Sequence, residues 1–358
     1  QYETTLPEGT TSTTLDIETE NKYAKVTIEK IDSLAYSNTS SNIKRLSTKK
    51  TLDLNSGDNY FKVTVTSENN INKNVYIIYI YAGKIKVPLK NEIMKNKIIT
   101  TNPTLTTTSE KSSDESGLYI STATNTGKPT YYFRGKVTNN YVSFAGQIWR
   151  IVRINEDGTI RIIMQDGINN NTSYQFNSKR DNYKYMYYTN SDAKNVLESW
   201  YQTNVGSKID LTNKIASGDY YCEQARTTPY STSNWSFGQA VTTIYTSYVP
   251  NFKCSTDGNG KGIVSASVGM ITYDEIVYSG GYYNVDADYY LLNGKTSWTM
   301  SPTGYSSTAA VIYRHNYNGS ILDFQSTDSL FIRPVINLKN DVKITEGIGT
   351  STDPFVIE

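Results

Sequence analysis

Apolar and polar positions alternate with the period of a β-strand through much of residues 2–81, in the runs TTLDIE, AKVTIEKI, YFKVTVTSE and NVYIIYIY. Glu68-Asn69-Asn70-Ile71-Asn72 joins the last two as a hairpin turn, and Gly57-Asp58-Asn59 marks where the first of that pair begins. Over residues 84–116 the alternation stops. Lys-rich KVPLKNEIMKNK, which fits a short helix over 89–97, gives way to IITTNPTLTTTSEKSSDESG. That second half has too few large apolar side chains to offset its ordering entropy, so it reads as a linker.

Strands return after residue 117: TYYFRG (130–135), YVSFAG (141–146), IWRIVRI (148–154) and TIRIIM (159–164), with Asp157-Gly158 as a tight turn between the last two. In IWRIVRI, Ile148, Arg150, Val152 and Ile154 share one face, and Trp149, Ile151 and Arg153 the other. Either Trp149 and Ile151 are buried or the strand is covered on both sides. Ser191 caps a helix to about residue 201 that carries Val196, Leu197, Trp200 and Tyr201 on one stripe. VGMI (268–271) reads as a short strand. Thr272-Tyr273-Asp274-Glu275 is a capping box that opens a second short helix, ended by Gly280-Gly281. The pattern therefore predicts an all-β unit at 1–83, a linker at 84–116, and a β-rich α+β domain with two short helices at 117–358.

The stretch 297–338 is the organising element. Asn318-Gly319 favours a two-residue type I′ turn, which sets Tyr317 opposite Ser320, His315 opposite Leu322, Arg314 opposite Asp323 and Tyr313 opposite Phe324. One face then carries Val311, Tyr313, Leu322 and Phe324 and suits a core. The other carries Ile312, Arg314, Asn316, Asp323 and Gln325 and suits a wet or ligand-facing surface.

Composition adds a bias toward binding. The chain has 358 residues, long enough for two cores, and 31 tyrosines beside abundant Thr, Ser and Asn. Tyr supplies amphipathic contact area at low entropy cost, the mixture of evolved binding surfaces, although Tyr and Thr also simply favour strands. Lys+Arg 35 against Asp+Glu 34 gives +1, which argues against nucleic-acid or anionic-membrane partners. No apolar run reaches the roughly 20 residues of a spanning helix, and no signal peptide is visible, so a mature or trimmed chain is expected. Two cysteines, Cys222 and Cys254, in a polar β-rich chain fit an exported protein with one bridge.

YETTLPEGTTSTTLDIETENKYAKVTI followed by LNSGDNYFKVTVTSENNINKNVYIIYIY resembles the cadherin-like β-sandwich of bacterial surface proteins. It departs from that pattern in a longer insertion over 31–51 and in lacking the usual first strand before Tyr2. The resemblance implies a spacer. Residues 117–358 are similar to extracellular modules of Firmicutes surface proteins related to the C-type-lectin and formylglycine-generating-enzyme fold. The carrying motifs are TYYFRGKVTNNYVSFAGQIWRIVRINEDGTIRII, LESWYQTN, YYCEQ, FKC, VGMITYDEIVYSGG, SWTMSP and FIRPVINLKNDVKITEGIGTSTDPFVI. That likeness implies a ligand-binding region over 303–329. Together with the hairpin register it selects Tyr305, Arg314, His315, Asn316, Tyr317, Asp323 and Gln325 as ligand-contacting residues.

Catalytic and metal chemistry finds little footing. The single histidine, His315, leaves no His pair for a metal and no convincing Ser-His-Asp set. Cys222 and Cys254 are expected to staple a loop, so the oxidase chemistry of the formylglycine-generating enzymes is not carried over. Asn284, Asp286 and Asp288 could offer oxygen ligands to calcium, but two loop carboxylates are usually just solvated. DGNGKG (257–262) lacks the context of a phosphate cradle and reads as a turn. The expectation is a non-enzymatic bacterial cell-surface adhesin or ligand-display protein, without cofactor, recognising a glycan or protein. The competing expectation is a structural subunit of a surface filament, self-associating by strand donation into the incomplete sandwich.

Overall fold

The computed structural model describes residues 2–7, 9–31, 49–83, 86–103, 105, 114–223, 250–254, 262–306 and 309–357. The insertion read over 31–51 and the turn read over 257–262 fall largely outside them. The chain forms two units, Gln1–Lys86 and Val87–Glu358.

The first unit contains β1 (Tyr2–Leu6), β2 (Ser12–Asp16), β3 (Lys25–Ile31), β4 (Lys49–Asp53), β5 (Gly57–Thr66) and β6 (Lys73–Ala82). Their order is β1-β6-β5-β3 in one sheet and β2-β4 in the other, with β1 parallel to β6. Alternation is the cause. Phe61 and Val63 of β5, Ile80 of β6, Ile28 of β3 and Leu52 of β4 turn inward to one small core, while the residues between them face out.

The second unit opens earlier than the composition suggests. β7 (Val87–Pro88), a Leu89–Ile93 helical turn and β8 (Ile98–Ile99) are built into it, with Leu89 and Ile93 fully buried in its core. The expected linker over 84–116 is therefore corrected: residues 87–99 belong to the fold. Leu89 and Ile93, four apart in a Lys-rich stretch, share the buried face, and strand pairing with Lys343 and Ile344 at one end and with Leu118 and Tyr119 at the other holds the segment.

The remaining strands are β9 (Gly117–Ser121), β10 (Thr130–Arg134), β11 (Tyr141–Phe144), β12 (Gln147–Ile154), β13 (Ile160–Met164), β14 (Ser173–Gln175), β15 (Gly218–Cys222) and β16 (Ile263–Ala266). After these come β17 (Tyr282–Tyr283), β18 (Ser297–Ser306), β19 (Ala309–His315), β20 (Ser320–Gln325), β21 (Ser329–Phe331), β22 (Val335–Leu338), β23 (Lys343–Glu346) and β24 (Phe355–Ile357). One sheet runs β7-β23-β24-β11-β12-β10-β9-β8, with β13 on the other edge of β12 and β22 beyond it. A second runs β14-β21-β18-β19-β20-β17, and β15 pairs with β16. A continuous core through Trp149, Ile162, Tyr273, Trp298, Ile312 and Ile336 joins both large sheets. Strand β12 is covered on both sides, with Arg150 and Trp149 alike buried.

Both expected helices form. Asp192–Tyr201 is capped by Ser191, whose hydroxyl accepts from Lys194 N, and buries Leu197, Trp200 and Tyr201. Tyr273–Ser279 carries the reciprocal capping box of Thr272 and Glu275 and ends at left-handed Gly280. VGMI contributes a single bridge, Gly269 to Val335, instead of a strand.

The β19–β20 hairpin is in a different register. Tyr313 pairs with Asp323, Arg314 with Leu322, Ile312 with Phe324 and His315 with Ile321. The turn is the reason. Gly319 N donates to Asn316 O and Asn316 N to Ser320 O, a three-residue loop in which Gly319 alone has positive φ. That is a type I turn closed by a G1 bulge, one residue longer than the type I′ turn that Asn-Gly suggests. The β12–β13 turn repeats it: Gly158 N donates to Asn155 O, and Asn155 N to Thr159 O. In both, the residue before glycine accepts from the residue after it: Asp157 from the NH and hydroxyl of Thr159, Asn318 from those of Ser320. The shared sequence, Asn-x-Asp/Asn-Gly-Thr/Ser, is a three-residue signature.

Candidate functional site

The one-residue change of register redistributes the hairpin set. Val311, Tyr313, His315, Asp323 and Gln325 now share one face, and Ile312, Arg314, Leu322 and Phe324 the other. Neither is an open surface, because Ile312 and Tyr313 are both fully buried. His315 and Asn316, expected at a wet tip, are buried at 1% and 6% exposure. Burial, with Arg333 nearby, pushes the imidazole down to about 3, so His315 is neutral at ordinary pH. Asn316 is tied to Ser320 and accepts from the hydroxyl of Thr296. Phe324, expected in the core, is half-buried beneath Arg314. Asp323 accepts from the Tyr283 hydroxyl at 2.8 Å. Gln325 accepts from Arg180, and the Tyr305 hydroxyl donates to Asp181 O. Of the seven, only Tyr317 and Gln325 are exposed, and the set does not converge on one surface.

Asp286 and Asp288 are likewise engaged separately, the first by Asn318 and the second by Lys136 at 2.6 Å. Among the described residues no group of three or more His, Cys, Asp or Glu side chains could hold a metal ion.

Concavity and charge meet elsewhere in this unit, in a cleft of about 250 Å³. Its floor begins with a β-bulge. The register of β12 against β13 shifts between Ile151 and Arg153, so that Arg153 stands opposite Arg161. Like charges directly opposed destabilise a sheet, and Glu275 lies between them. Its Oε1 is 2.5 Å from Arg161 Nε and 3.3 Å from Arg153 Nε, and its Oε2 accepts from Arg161 Nη2 at 3.3 Å. The capping box fixes the carboxylate, because Thr272 N also donates to Oε2. Burial opposes ionisation of Glu275, but Arg161, Arg153 and the Thr272 NH outweigh it and hold the carboxyl below its usual range.

Aromatic and disulfide-linked walls rise from that floor. Phe252 lies 4.8 Å from the Arg153 guanidinium and stacks on Tyr278 at 4.0 Å. Arg161 donates to Tyr220 O and sits 4.9 Å from the Tyr221 ring. Tyr220 donates its hydroxyl to Asp157, and burial together with that bond pushes the phenol up to about 12. Cys222 and Cys254 form the expected disulfide, Cα–Cα 5.6 Å, which ties β15 to the 250–254 segment at the cleft wall. Local pattern does not single out Arg153, Arg161 or Phe252, and within it Glu275 is only a cap. The signal that could have found them is arginine recurring inside the otherwise apolar runs IWRIVRI and TIRIIM, since Arg is rarely buried unless paired.

Residues 1–82 match the family model described as a cadherin-like beta sandwich domain. No curated protein and no solved structure matches the chain. The sandwich and the disulfide fit an extracellular protein. No described helix is long and apolar enough to cross a membrane.

Proposed function

We propose that the chain is a non-catalytic ligand-display protein of the bacterial cell surface, an adhesin in which the sandwich is a spacer and the second unit a lectin-like binding head. The observation that carries this reading is the state of the cleft's reactive groups. Glu275 is held ionised between two arginines, Tyr220 is held protonated on Asp157, and both sulfurs are joined in the disulfide. A general acid or base works best with a pKa near the operating pH, whereas these groups are fixed in one protonation state. Fixed donors and acceptors beside an aromatic wall suit recognition.

The test is capture of the intact chain on an array of glycans and surface proteins, with Phe252→Ala in the cleft and Tyr317→Ala at the hairpin tip. Loss of capture in the cleft variant supports the cleft as the binding site. Loss in the tip variant alone moves the site to the hairpin, through its exposed member. No capture by the intact chain, with growth of long assemblies at rising concentration, favours the filament subunit. That second reading draws on the sandwich's β2–β4 sheet, whose outer edges have no strand partner among the described residues.

A further inference from the structure

We infer that the cleft between Arg153, Phe252 and Lys128 binds the carboxylate of a small organic acid, an inference that rests on the cleft being the binding site of the head. The reason is an imbalance between acceptors and donors. The acids of the floor and wall already accept from the protein: Glu275 from Arg153, Arg161 and Thr272, Glu156 from the NH and hydroxyl of Thr126, and Asp157 from Thr159 and Tyr220. Two of the cleft's cations, Arg153 and Lys128, are less engaged, whereas Arg161 is spent on Glu275 and Tyr220 O. Arg153 spends Nε on Glu275 and Nη1 on a long contact to Thr130, and its Nη2 has no partner among the described residues. Lys128, exposed on the same cleft, has no side-chain partner among them either. Asp219, at the mouth, is exposed to water.

The unmet capacity of the cleft is therefore for hydrogen-bond donation from cations, and a ligand that brings acceptors with negative charge meets it. The Nη2 of Arg153 and the Lys128 ammonium offer charge-assisted donors to a carboxylate. The Arg153 side chain is only 13% exposed, so a carboxylate reaching it is largely desolvated and the bond correspondingly strong. Phe252, half-buried beside the guanidinium, offers an apolar face to whatever carries the carboxylate. At about 250 Å³ the space suits one small ring or side chain and falls below drug-sized pockets of roughly 300–1,000 Å³.

The experiment is titration of the full chain, by calorimetry and NMR, with D-glucuronate and N-acetyl-phenylalanine against their neutral counterparts, glucose and N-acetyl-phenylalaninamide. At least one acid should bind about tenfold or more tightly than its neutral counterpart, and its identity assigns the source as an acidic sugar or a peptide terminus. Binding should weaken as salt rises and should fall about three- to tenfold in Lys128→Ala, an exposed site whose loss leaves Tm unchanged. Arg153→Met should abolish it, and Lys128→Ala carries the test if that variant fails to fold. Equal binding of acids and neutral counterparts, no binding of either acid, or full binding in Lys128→Ala overturns the inference. If array capture by the intact chain still depends on Phe252 in that event, the display reading stands and only the ligand class is wrong.

Discussion

Arg314 lies over the ring of Phe324, its guanidinium carbon 3.8 Å from the ring centroid. The two share a face of the hairpin because Arg314 pairs with Leu322 and Phe324 with Ile312. Both are half-buried, and burial lowers the guanidinium's pKa while Asp323 offsets part of the effect. A stacked cation at such a site contributes about 0.5–1 kcal/mol. A double-mutant cycle of Arg314→Ala and Phe324→Ala, read by denaturant unfolding, should give that coupling. Phe324→Ala alone should cost about 1–2 kcal/mol, below the roughly 3–5 kcal/mol of Tyr313→Ala in the core. Equal costs for the two would mean that Phe324 is a core residue after all.

Removing the charge of Glu275 leaves buried Arg161 and partly buried Arg153 without their shared partner. Glu275→Gln should destabilise by about 3–5 kcal/mol. The folded carboxyl titrates below its unfolded value, so its stabilisation is present above about pH 4.3 and is lost as pH falls through the lower, folded value. An acid unfolding series should therefore be shallower in Glu275→Gln than in the wild type. Parallel acid limbs would show that this carboxylate is not the group responsible.

Closing a loop of 32 residues through Cys222 and Cys254 should stabilise the second unit by roughly 3–4 kcal/mol in the chain-entropy model. Thiol titration of denatured, unreduced protein should find no free sulfhydryl, and reduction should lower Tm. Detection of two sulfhydryls before reduction contradicts the bridge.

The twin turns differ in what surrounds their glycines. Gly158 and Gly319 have φ of 88° and 82°, conformations that cost an L-residue about 1 kcal/mol. Beyond that, a Cβ at Gly158 would meet the flexible tip of Lys90 at 3.3 Å, whereas one at Gly319 would land on the Ala287 carbonyl. Gly158→Ala should thus cost about 1–2 kcal/mol and Gly319→Ala about 3 kcal/mol or more. Chemical denaturation of the two variants decides it, and similar midpoints would remove the backbone clash from the account.

Truncation tests the start of the second unit. A fragment beginning at Val87 should unfold at the Tm of this unit in the intact chain. One beginning at Gly117 loses buried Leu89 and Ile93, each worth about 2–5 kcal/mol by large-to-small substitution, and should melt well below it.

How much of this was legible in the chain depended on the range of the interaction. The sandwich strands, the Ser191 cap and the Thr272–Glu275 box are set by neighbours a few residues away, and alternation and capping chemistry reveal them. The hairpin register turns on one local choice: Asn-Gly alone suggests a two-residue turn, whereas the Ser320 hydroxyl and NH on Asn318 favour the longer loop. Residues 87–99 were hidden because their partners, such as Val342 and Ile344, lie at the far end of the sequence. The cleft was hidden for the same reason. Arg153, Phe252 and Glu275 come from three separate segments, and only packing brings a guanidinium, a ring and a carboxylate together.

The placement of β7 also has a mechanical consequence. Strand β7 is antiparallel to β23, and β23 to β24, so β7 and β24 point the same way with one strand between them. Tension arriving along the backbone at Lys86 and leaving at Ile357 would draw β7 and β24 in opposite directions along their own axes. Their hydrogen bonds, perpendicular to the strands, would be loaded together in shear and not peeled one at a time. The load path crosses three adjacent strands and bypasses β12, β13, β15 and the Tyr273–Ser279 helix, which build the cleft. Force along that path does not run through the strands and helix that position Arg153.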